Sequence, residues 1–323
     1  MKLPKIYGFL TKDMDTIEKT LQKSIQAEHP ILRDASTALL KAGGKRIRPV
    51  FVLLSCHLGD YDFEKVQKVA VTLELIHMAT LVHDDVIDEA ELRRGKPTTA
   101  SQYGNRIAMY TGDFILARAL EEITKIKDPR IHALLSKTLI EVSVGEIEQI
   151  EFKYQWNQNF RDYLRRIKRK TAVLIACSCK LGALVGGLSD QDANKLYRYG
   201  YNVGMSYQII DDILDFTSTA KELGKPAGND LLQGNITLPV LYAMDNKELR
   251  EQFMTLINSN QDIDPKAMQK LIASLKNTDA IKKSYAVSDL YLQKALKSLD
   301  GLQASRAKKS LQDIATFIGK RRS

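Results

Sequence analysis

The chain has 323 residues, of which 44% are apolar, and its 18 glycines and 8 prolines leave room for long uninterrupted elements. Its formal net charge of +9 allows an anionic partner, whether nucleic acid, acidic lipid or a phosphorylated small molecule. Three cysteines, Cys56, Cys177 and Cys179, exclude a disulfide framework and a Cys-x-x-Cys metal site, which favours a reducing, cytoplasmic environment. The N-terminal residues contain no apolar run long enough for a signal peptide.

Helical periodicity dominates the chain. Apolar residues recur at three- to four-residue spacing from Val66 to Thr80 and again from Phe114 to Ile123. Asp128-Pro129 predicts a helix start, and Ser189-Asp190 predicts a cap. Further helices are expected over roughly 130–150, 170–187, 190–216, 235–244, 264–275, 279–298 and 302–318. Because strand patterns are nearly absent and no linker divides the chain, we predict one all-α domain over residues 1–323, a large helical bundle.

One segment, Thr171 to Leu188, approaches the length and apolarity of a transmembrane helix. Lys180 interrupts it and Gly186-Gly187 ends it, so a buried core helix is the better interpretation. Loose contact with a membrane surface stays open as an alternative.

Two copies of Asp-Asp-x-x-Asp stand in apolar, helix-like sequence: Asp84-Asp85-Val86-Ile87-Asp88 and Asp211-Asp212-Ile213-Leu214-Asp215. On a helix, the first and last aspartates of each copy lie on one face, one turn apart. Neither copy contains a basic partner, and like charges at this spacing repel unless something neutralises them. Mg²⁺ with oxygen ligands is the usual neutraliser. If the two helices face each other, all six carboxylates line one mouth of a central cavity.

Basic residues accompany these carboxylates. Gly43-Gly44-Lys45-Arg46-Ile47-Arg48-Pro49 is a turn that leads into a helix, and Arg93-Arg94-Gly95 follows the first motif. A glycine turn that presents Lys45 and Arg48 suits an anion, although a solvated basic turn is an equal alternative for this segment alone. Adjacent arginines point in different directions, so Arg93 and Arg94 can serve two neighbouring anions.

Further polar residues lie near the second motif. The basic run 165–169 is interpreted as mostly a solvated face, with Lys170 as the member nearest the core. Gln208 stands four residues before Asp212, which places its amide on the aspartate face. A Gly-rich loop with Gly224-Lys225 follows and can fold over a phosphate. His77 lies about two turns before Asp84, where a lone histidine is more often a core residue than a ligand.

Carboxylates, metals and cations together suit a polyphosphate substrate. This number of charged residues would be redundant for one phosphate and fits two diphosphates, one bound through bridging Mg²⁺ and one bound directly by cations. Metals that withdraw charge from a diphosphate make it a leaving group. An apolar cavity beside it would protect the carbocation left behind.

Over nearly its whole length the chain resembles the trans-polyprenyl diphosphate synthases, Mg²⁺-dependent enzymes that elongate isoprenyl chains. The motifs that carry the resemblance occur in the family's order: 43–49, His83-Asp84-Asp85-Val86-Ile87-Asp88, Arg93-Arg94-Gly95-Lys96-Pro97-Thr98, Gly112-Asp113, Gly145-Glu146, Lys170-Thr171, Tyr207-Gln208-Ile209-Ile210-Asp211-Asp212 and Gly224-Lys225. The resemblance implies an all-α isoprenoid synthase fold, usually dimeric, with the site in a central cavity.

The resemblance also implies roles for individual residues. Mg²⁺ would be bound by Asp84, Asp88 and Asp211, with support from Asp85, Asp212 and Asp215. The allylic diphosphate would be held by Arg93, Lys170, Thr171, Gln208 and Lys225, and isopentenyl diphosphate by Lys45, Arg48, His77 and Arg94. The reaction would be ionisation of the allylic diphosphate, attack by the isopentenyl double bond and proton loss, with diphosphate itself as the base.

One position departs from the family pattern. Many members have lysine where this chain has Asn235, which cannot supply that charge. In this the chain looks like the catalytic subunits of bacterial heptaprenyl synthases, which pair with a small, dissimilar subunit and whose product forms the menaquinone side chain.

Residues upstream of the first aspartate motif should line the cavity where the product grows. Family members with short products tend to carry a bulky aromatic residue there, whereas Ala79 and Thr80 are small, and Ile76 lies on the same stripe. A helix from about 64 to 89 would be about 39 Å long, enough to run beside an extended chain. We therefore predict a long product of the heptaprenyl class, with other lengths from geranylgeranyl to solanesyl as alternatives.

Three other functions compete with this interpretation. A terpene cyclase needs no second diphosphate site, and so no basic turn at 43–49. A non-catalytic synthase subunit typically loses one aspartate motif, whereas this chain keeps both. A nucleic-acid-binding protein would explain the net charge, but the basic residues are spread among helices without an aromatic platform.

Overall fold

The computed structural model of the protein describes residues 3–218, 227–257 and 265–321. Over these residues the fold is all-α apart from one short hairpin, which confirms the predicted fold class. The two strands of the hairpin are β1 (Leu92–Arg93) and β2 (Lys96–Pro97), paired antiparallel.

The N-terminal helices are α1 (Leu3–Ile6), α2 (Thr11–Ser24), α3 (Pro30–Lys41), α4 (Ile47–Cys56), α5 (Phe63–Ile87), α6 (Thr99–Tyr103), α7 (Asn105–Thr124) and α8 (Pro129–Glu151). The later helices are α9 (Phe160–Ile167), α10 (Val173–Val185), α11 (Asp190–Thr217), α12 (Asn229–Leu232), α13 (Leu238–Ala243), α14 (Lys247–Ile257), α15 (Pro265–Lys276), α16 (Ala280–Ser298) and α17 (Arg306–Gly319). A 3₁₀ turn covers Gly8–Leu10, and a π-helical turn covers Lys168–Ala172.

Local capping explains several predicted helix boundaries. Asp128 Oδ1 accepts a hydrogen bond from the Arg130 N–H at 2.9 Å, and Ser189 Oγ accepts one from the Asp192 N–H at 3.1 Å, so α8 and α11 begin where predicted. The helix expected from 302 begins only at α17, where Ser305 Oγ caps its first turn by accepting a hydrogen bond from the Lys308 N–H at 3.1 Å.

Contacts between its own residues divide the chain into two compact units. Unit 1 comprises 1–136, 177–197 and 301–311, and unit 2 comprises 137–176, 198–300 and 312–323. Four of the five boundaries fall inside the helices α8, α10, α11 and α17, and the fifth, at 300/301, falls between α16 and α17. The single-domain expectation stays a prediction.

In unit 1 the core is built around α5, which carries the first aspartate motif. The predicted apolar face is buried except at its last residue, Thr80, which is half-buried; Val66, Val69 and Leu73 are all inaccessible to solvent. Val71 and Leu75, on other faces of the helix, are equally buried. A helix that is apolar on nearly all sides belongs inside a protein, so its polar C-terminal end is held in place by packing along almost the whole helix.

The described residues of unit 2 include an apolar cluster around Phe216 and Phe253 and another around Tyr163 and Ile209. The apolar segment from Thr171 to Leu188 contains α10, whose residues are almost all buried, as predicted for a core helix. Among the residues that the structure describes, no helix has both the length and the apolarity to cross a membrane. All three cysteines are buried thiols without a disulfide.

Candidate active site

The first aspartate motif lies at the C-terminal end of α5. Asp84 and Asp85 belong to its last turn, and Asp88 follows as the C-cap, with its N–H bonded to the Asp84 carbonyl at 2.8 Å. The helix ends here because Glu89 adopts a left-handed backbone (φ 50°). Asp85 is buried, whereas Asp84 and Asp88 are half-buried. The outer carboxylates are therefore the ones that reach solvent, one turn apart as predicted.

Asp85 is held by Arg93. The arginine Nε lies 2.8 and 2.9 Å from the two carboxylate oxygens, and its Nη2 lies 2.7 Å from Oδ1. Arg93 ends β1, and the two-residue turn that follows, Arg94-Gly95, has positive φ at both positions (54° and 74°). Such a turn matches the twist of a hairpin. It sends the two neighbouring arginines to different places, as predicted.

Arg94 packs over the glycine turn that precedes α4. A Cβ atom added to Gly44 would lie 2.8 Å from Arg94 Nη1 and 3.2 Å from Arg46 Nη1, so a larger residue here would displace the Arg94 guanidinium. Lys45 is exposed in the same turn. The basic turn and the hairpin, distant in sequence, thus meet in unit 1.

Four arginines surround His77 on α5. Burial, together with the positive charges of Arg48, Arg94, Arg93 and Arg46, lowers the pKa of His77 well below its ordinary value. The imidazole is therefore neutral and can donate one hydrogen bond to an anion among these cations. The structure brings together Arg48, His77 and Arg94, three of the four residues assigned by resemblance to isopentenyl diphosphate.

The lowered pKa of His77 predicts a pH dependence of stability. Below about pH 6.5 the unfolded chain binds a proton at this histidine, and the folded chain does not. The free energy of unfolding therefore falls with decreasing pH, by at most about 1.4 kcal/mol per pH unit. We expect His77→Gln to flatten the loss of melting temperature between pH 7 and pH 5. His29→Gln, at an exposed position, is the control and should leave the slope unchanged. Equal slopes in all three proteins would contradict this account.

His83, next to the first motif, fastens α5 to α7. Its Nε2 lies 3.3 Å from the Met109 carbonyl oxygen and 3.3 Å from Asp113 Oδ1. A Cβ atom on Gly112 would lie only 2.2 Å from His83 Nε2, so glycine is required for this approach. The Gly112-Asp113 pair noted in the sequence therefore positions the end of α5.

The second aspartate motif lies in the last turns of α11, in unit 2. Asp212 is buried, and its carboxylate accepts hydrogen bonds from Gln208 Nε2 at 2.8 Å and from the Tyr163 hydroxyl at 2.7 Å. Burial, and then the charge of Asp230, raises the pKa of Asp212 to about 7. The predicted approach of Gln208 is confirmed, whereas sequence reasoning missed Tyr163, since only the packing of α9 brings it here.

Thr171 joins the same network. Its hydroxyl donates to Gln208 Oε1 at 2.6 Å, and the neighbouring Lys170 Nζ donates to Gln149 Oε1 at 2.6 Å. Both residues belong to the π-helical turn 168–172. Such turns inside helices occur frequently at functional sites. Two of the residues assigned to the allylic diphosphate, Thr171 and Gln208, thus share one network with Asp212, and a third, Lys170, neighbours Thr171 in the same turn.

Beyond α11 the chain returns to the motif. Asp215 is buried, and its Oδ2 accepts from the Asp230 N–H at 3.2 Å. The Asn235 N–H in turn donates to the Asp230 carbonyl at 2.8 Å, so the residue that departs from the family pattern stands next to this segment. Gly224 and Lys225 lie outside the described residues.

A further arginine reaches the second motif from the C-terminal end of the chain. Arg321 Nη1 lies 3.0 Å from Asp211 Oδ1, and its guanidinium lies 5.1 Å from the Tyr207 ring centroid. Sequence reasoning missed this contact, although the basic residues at 320–322 were a signal. Asp211 therefore has a cationic partner from the protein itself.

The interpretation of the basic run 165–169 was wrong for Arg166. This residue is 5% exposed, less than the half-buried Lys170, and donates to Gln158 Oε1 at 2.6 Å and to the Ile236 carbonyl. A buried guanidinium needs such acceptors. It lies against the Tyr163 ring, at 5.8 Å from the centroid, and so supports the residue that holds Asp212.

The residues assigned to product length lie in the buried part of α5. Ile76 is inaccessible and Ala79 is 2% exposed, while Thr80 is half-buried and its hydroxyl donates to the His77 carbonyl at 2.9 Å. None of these three positions carries an aromatic side chain, so no bulky ring fills the space along this part of α5.

The carboxylates of the two motifs suit a divalent cation by their chemistry, because oxygen donors are the ligands that Mg²⁺ prefers. Across the described ranges, no three His, Cys, Asp or Glu side chains already converge on a metal position. Instead, Asp85 and Asp211 are each paired with an arginine. Each motif thus carries negative charge that draws in cations, as a metal site requires.

Comparison with known proteins finds a family match over most of the chain. The profile of the polyprenyl synthetase family matches residues 29–275. A relative from Bacillus subtilis, heptaprenyl diphosphate synthase component 2, is 58% identical over 322 residues, which covers 100% of this chain and 92% of the relative.

Solved structures agree with this match. The heptaprenyl diphosphate synthase of Staphylococcus aureus superposes with a TM-score of 0.91 at 41% identity, covering 97% of this chain and 99% of that one. A polyprenyl synthase from Caulobacter crescentus, complexed with calcium and isoprenyl diphosphate, superposes with a TM-score of 0.94 at 28% identity, covering 100% and 98%. The fold is therefore the helical isoprenoid synthase fold.

Proposed function

The chain belongs to the polyprenyl synthetase family of prenyltransferases, and we propose that it is the catalytic component of a two-component heptaprenyl diphosphate synthase. It condenses isopentenyl diphosphate with an allylic diphosphate, farnesyl diphosphate as the primer, in a Mg²⁺-dependent reaction. The product is the all-trans heptaprenyl diphosphate that forms the menaquinone side chain. Similarity over the full chain to component 2 of the Bacillus subtilis enzyme supports the product and the need for a partner.

The observation that carries the proposal is the arginine cluster around His77, of which one member, Arg93, also holds Asp85 of the first motif. A terpene cyclase handles one diphosphate and needs no such second cationic site. A non-catalytic subunit would lack the polar support of one motif, whereas here Arg93 holds Asp85 and Gln208 holds Asp212. The cationic cluster around His77 and the two supported aspartate motifs together favour a protein that binds two diphosphate substrates.

Each set has its own role. When bound, Mg²⁺ supplies positive charge that stabilises the departing diphosphate. Asp84, Asp88 and Asp211 hold the metal ions, with Asp85, Asp212 and Asp215 in support. The allylic diphosphate is held by Arg93, Lys170, Thr171, Gln208 and Lys225, and isopentenyl diphosphate by Lys45, Arg48, His77 and Arg94.

The residues that bind the two diphosphates orient the reaction. The allylic C1–O bond breaks, and its electron pair leaves with the diphosphate. The isopentenyl double bond then attacks C1 and forms the new carbon–carbon bond, and a proton leaves the adjacent carbon for the released diphosphate. Buried apolar residues of α5 such as Ile76 and Ala79 keep water from the cation and accommodate the growing chain.

A protein partner is also supported by the surface of α8. Four aliphatic residues form the aliphatic stripe, at one-turn spacing along an exposed face: Ile140 (63% exposed), Val144 (41%), Ile147 (59%) and Ile150 (46%). An exposed apolar patch of this kind marks an interaction site. We assign it to the first component of the synthase, because the relatives are the second components of two-component enzymes.

Ile147→Asp is expected to weaken association with the first component roughly 100-fold, because the carboxylate would be buried without a partner. Leu290→Asp, at a 50% exposed position of α16, is the matched control. Co-elution in size-exclusion chromatography and activity of the mixture measure the effect. The assignment would be contradicted if Ile147→Asp left association with the first component unchanged. It would also be contradicted if the substitution weakened only the association of this chain with a second copy of itself.

The function itself is tested with purified protein, farnesyl diphosphate, labelled isopentenyl diphosphate and Mg²⁺, with and without the first component. We expect long-chain product only in the mixture, with its length read by chromatography. Cyclic products or no incorporation in either case would overturn the proposal. Full activity of the chain alone would remove the two-component part of it.

A further inference from the structure

Arg46 stands between two predicted substrate ligands, Lys45 and Arg48, yet its surroundings differ from theirs. Its backbone is left-handed (φ 47°, ψ 36°) at the residue that precedes α4. A non-glycine residue in this region is strained and persists only where its surroundings hold it. Its side chain is 11% exposed. The strain and the burial together indicate that the turn depends on what this side chain contacts.

The guanidinium of Arg46 contacts three helices. Its Nε and Nη2 lie 2.8 and 2.9 Å from the two carboxylate oxygens of Glu18 on α2, a bidentate pair. Its Nη1 lies 3.1 Å from Oε1 of Glu74, which is 3% exposed on α5. Its Nη2 also lies 3.3 Å from the Leu40 carbonyl at the end of α3. One side chain thus fastens the turn to α2, α3 and α5.

The charge of Arg46 is already matched by these two carboxylates, so it is poorly suited to bind a third anion. Glu74 precedes His77 by one turn of α5. Arg46 therefore links the turn that carries Lys45 and Arg48 to the helix segment that carries His77. The same guanidinium lies against Gly44, over which Arg94 packs.

We propose that Arg46 is a positioning residue for isopentenyl diphosphate: through Glu18 and Glu74 it holds the turn 43–49, which carries Lys45, in the conformation that places Arg48 beside His77. It does not touch the substrate. This inference rests on the proposed function, since it concerns one of its two substrates.

The first test is Glu18→Gln. If Arg46 attracted the diphosphate directly, removing this carboxylate would improve binding of isopentenyl diphosphate. If Arg46 positions the turn, loosening its bidentate anchor weakens binding, and we expect KM for isopentenyl diphosphate to rise about 10-fold, with KM for the allylic substrate and kcat nearly unchanged. Glu28→Gln, the same change at an exposed position, is the matched control.

The second test replaces Arg46 itself. Arg46→Lys keeps the charge but cannot pair with both carboxylates in a fork, and Arg46→Gly accepts the left-handed backbone but has no anchor. Both should show the same selective rise of KM as Glu18→Gln. Circular dichroism and melting temperature confirm folding, and the assay uses whichever form of the wild-type enzyme is active.

The outcomes separate the inference from the function. An inactive wild-type enzyme would refute the proposed function. An active wild type with unchanged KM for isopentenyl diphosphate in Glu18→Gln and Arg46→Lys would refute the positioning role alone. A lower KM in Glu18→Gln would likewise refute it and make Arg46 a direct ligand.

Discussion

Asp84→Ala or Asp211→Ala is expected to lower kcat by roughly 10³-fold or more, because each removes a carboxylate that we propose binds the metal ions needed for diphosphate departure. The helical fold should survive, since both side chains are half-buried at helix ends and not within the apolar core. Steady-state incorporation of labelled isopentenyl diphosphate at saturating Mg²⁺ measures the loss.

Asp15→Ala and Asp300→Ala remove carboxylates from exposed positions and are the controls. They should leave kcat unchanged. Circular dichroism must show equal helicity in all four variants. A near-normal rate in either motif variant would show that the two aspartate clusters do not act together in the reaction.

Ala79→Phe is expected to shorten the product. Ala79 is buried in α5, five positions before Asp84, or about 7.5 Å along the helix axis. The helix itself has 25 residues, about 37 Å, so a small side chain here leaves room for a chain that grows along it. A phenyl ring at this point would block that growth.

A graded series keeps this prediction separate from destabilisation. An enlarged buried side chain typically costs about 1–3 kcal/mol of stability, so melting temperatures are measured with product lengths. Chain length should fall in the order Ala79, Ala79→Val, Ala79→Leu and Ala79→Phe while Mg²⁺ dependence is kept. Folded variants with unchanged product length on chromatography would show that this stripe does not set the length.

Local features of the site followed directly from residue spacing. Gln208 stands four positions before Asp212, and on a helix that spacing alone brings the amide to the carboxylate at 2.8 Å. The one-turn separation of Asp84 and Asp88 and the cap at Ser189 are local in the same way. Helical geometry determines all of them without knowledge of any other element.

Contacts between distant parts of the chain were not accessible by such reasoning. The basic run 165–169 was expected to be mostly a solvated face, yet the packing of α9 turns Arg166 toward Gln158 and Ile236. Tyr163 and Arg321 reach Asp212 and Asp211 from positions far away in sequence. No residue spacing encodes those approaches.

By itself the amino-acid sequence determined the all-α class, the paired aspartate motifs and the family, because helical period and motif order are properties of neighbouring residues. Only the tertiary structure decided which cations have carboxylate partners within the protein. Arg93 faces Asp85, and Arg46 faces Glu18 and Glu74, although both arginines stand among predicted substrate ligands. Long flexible side chains pair with whatever helix packing brings near, and that packing depends on the whole core.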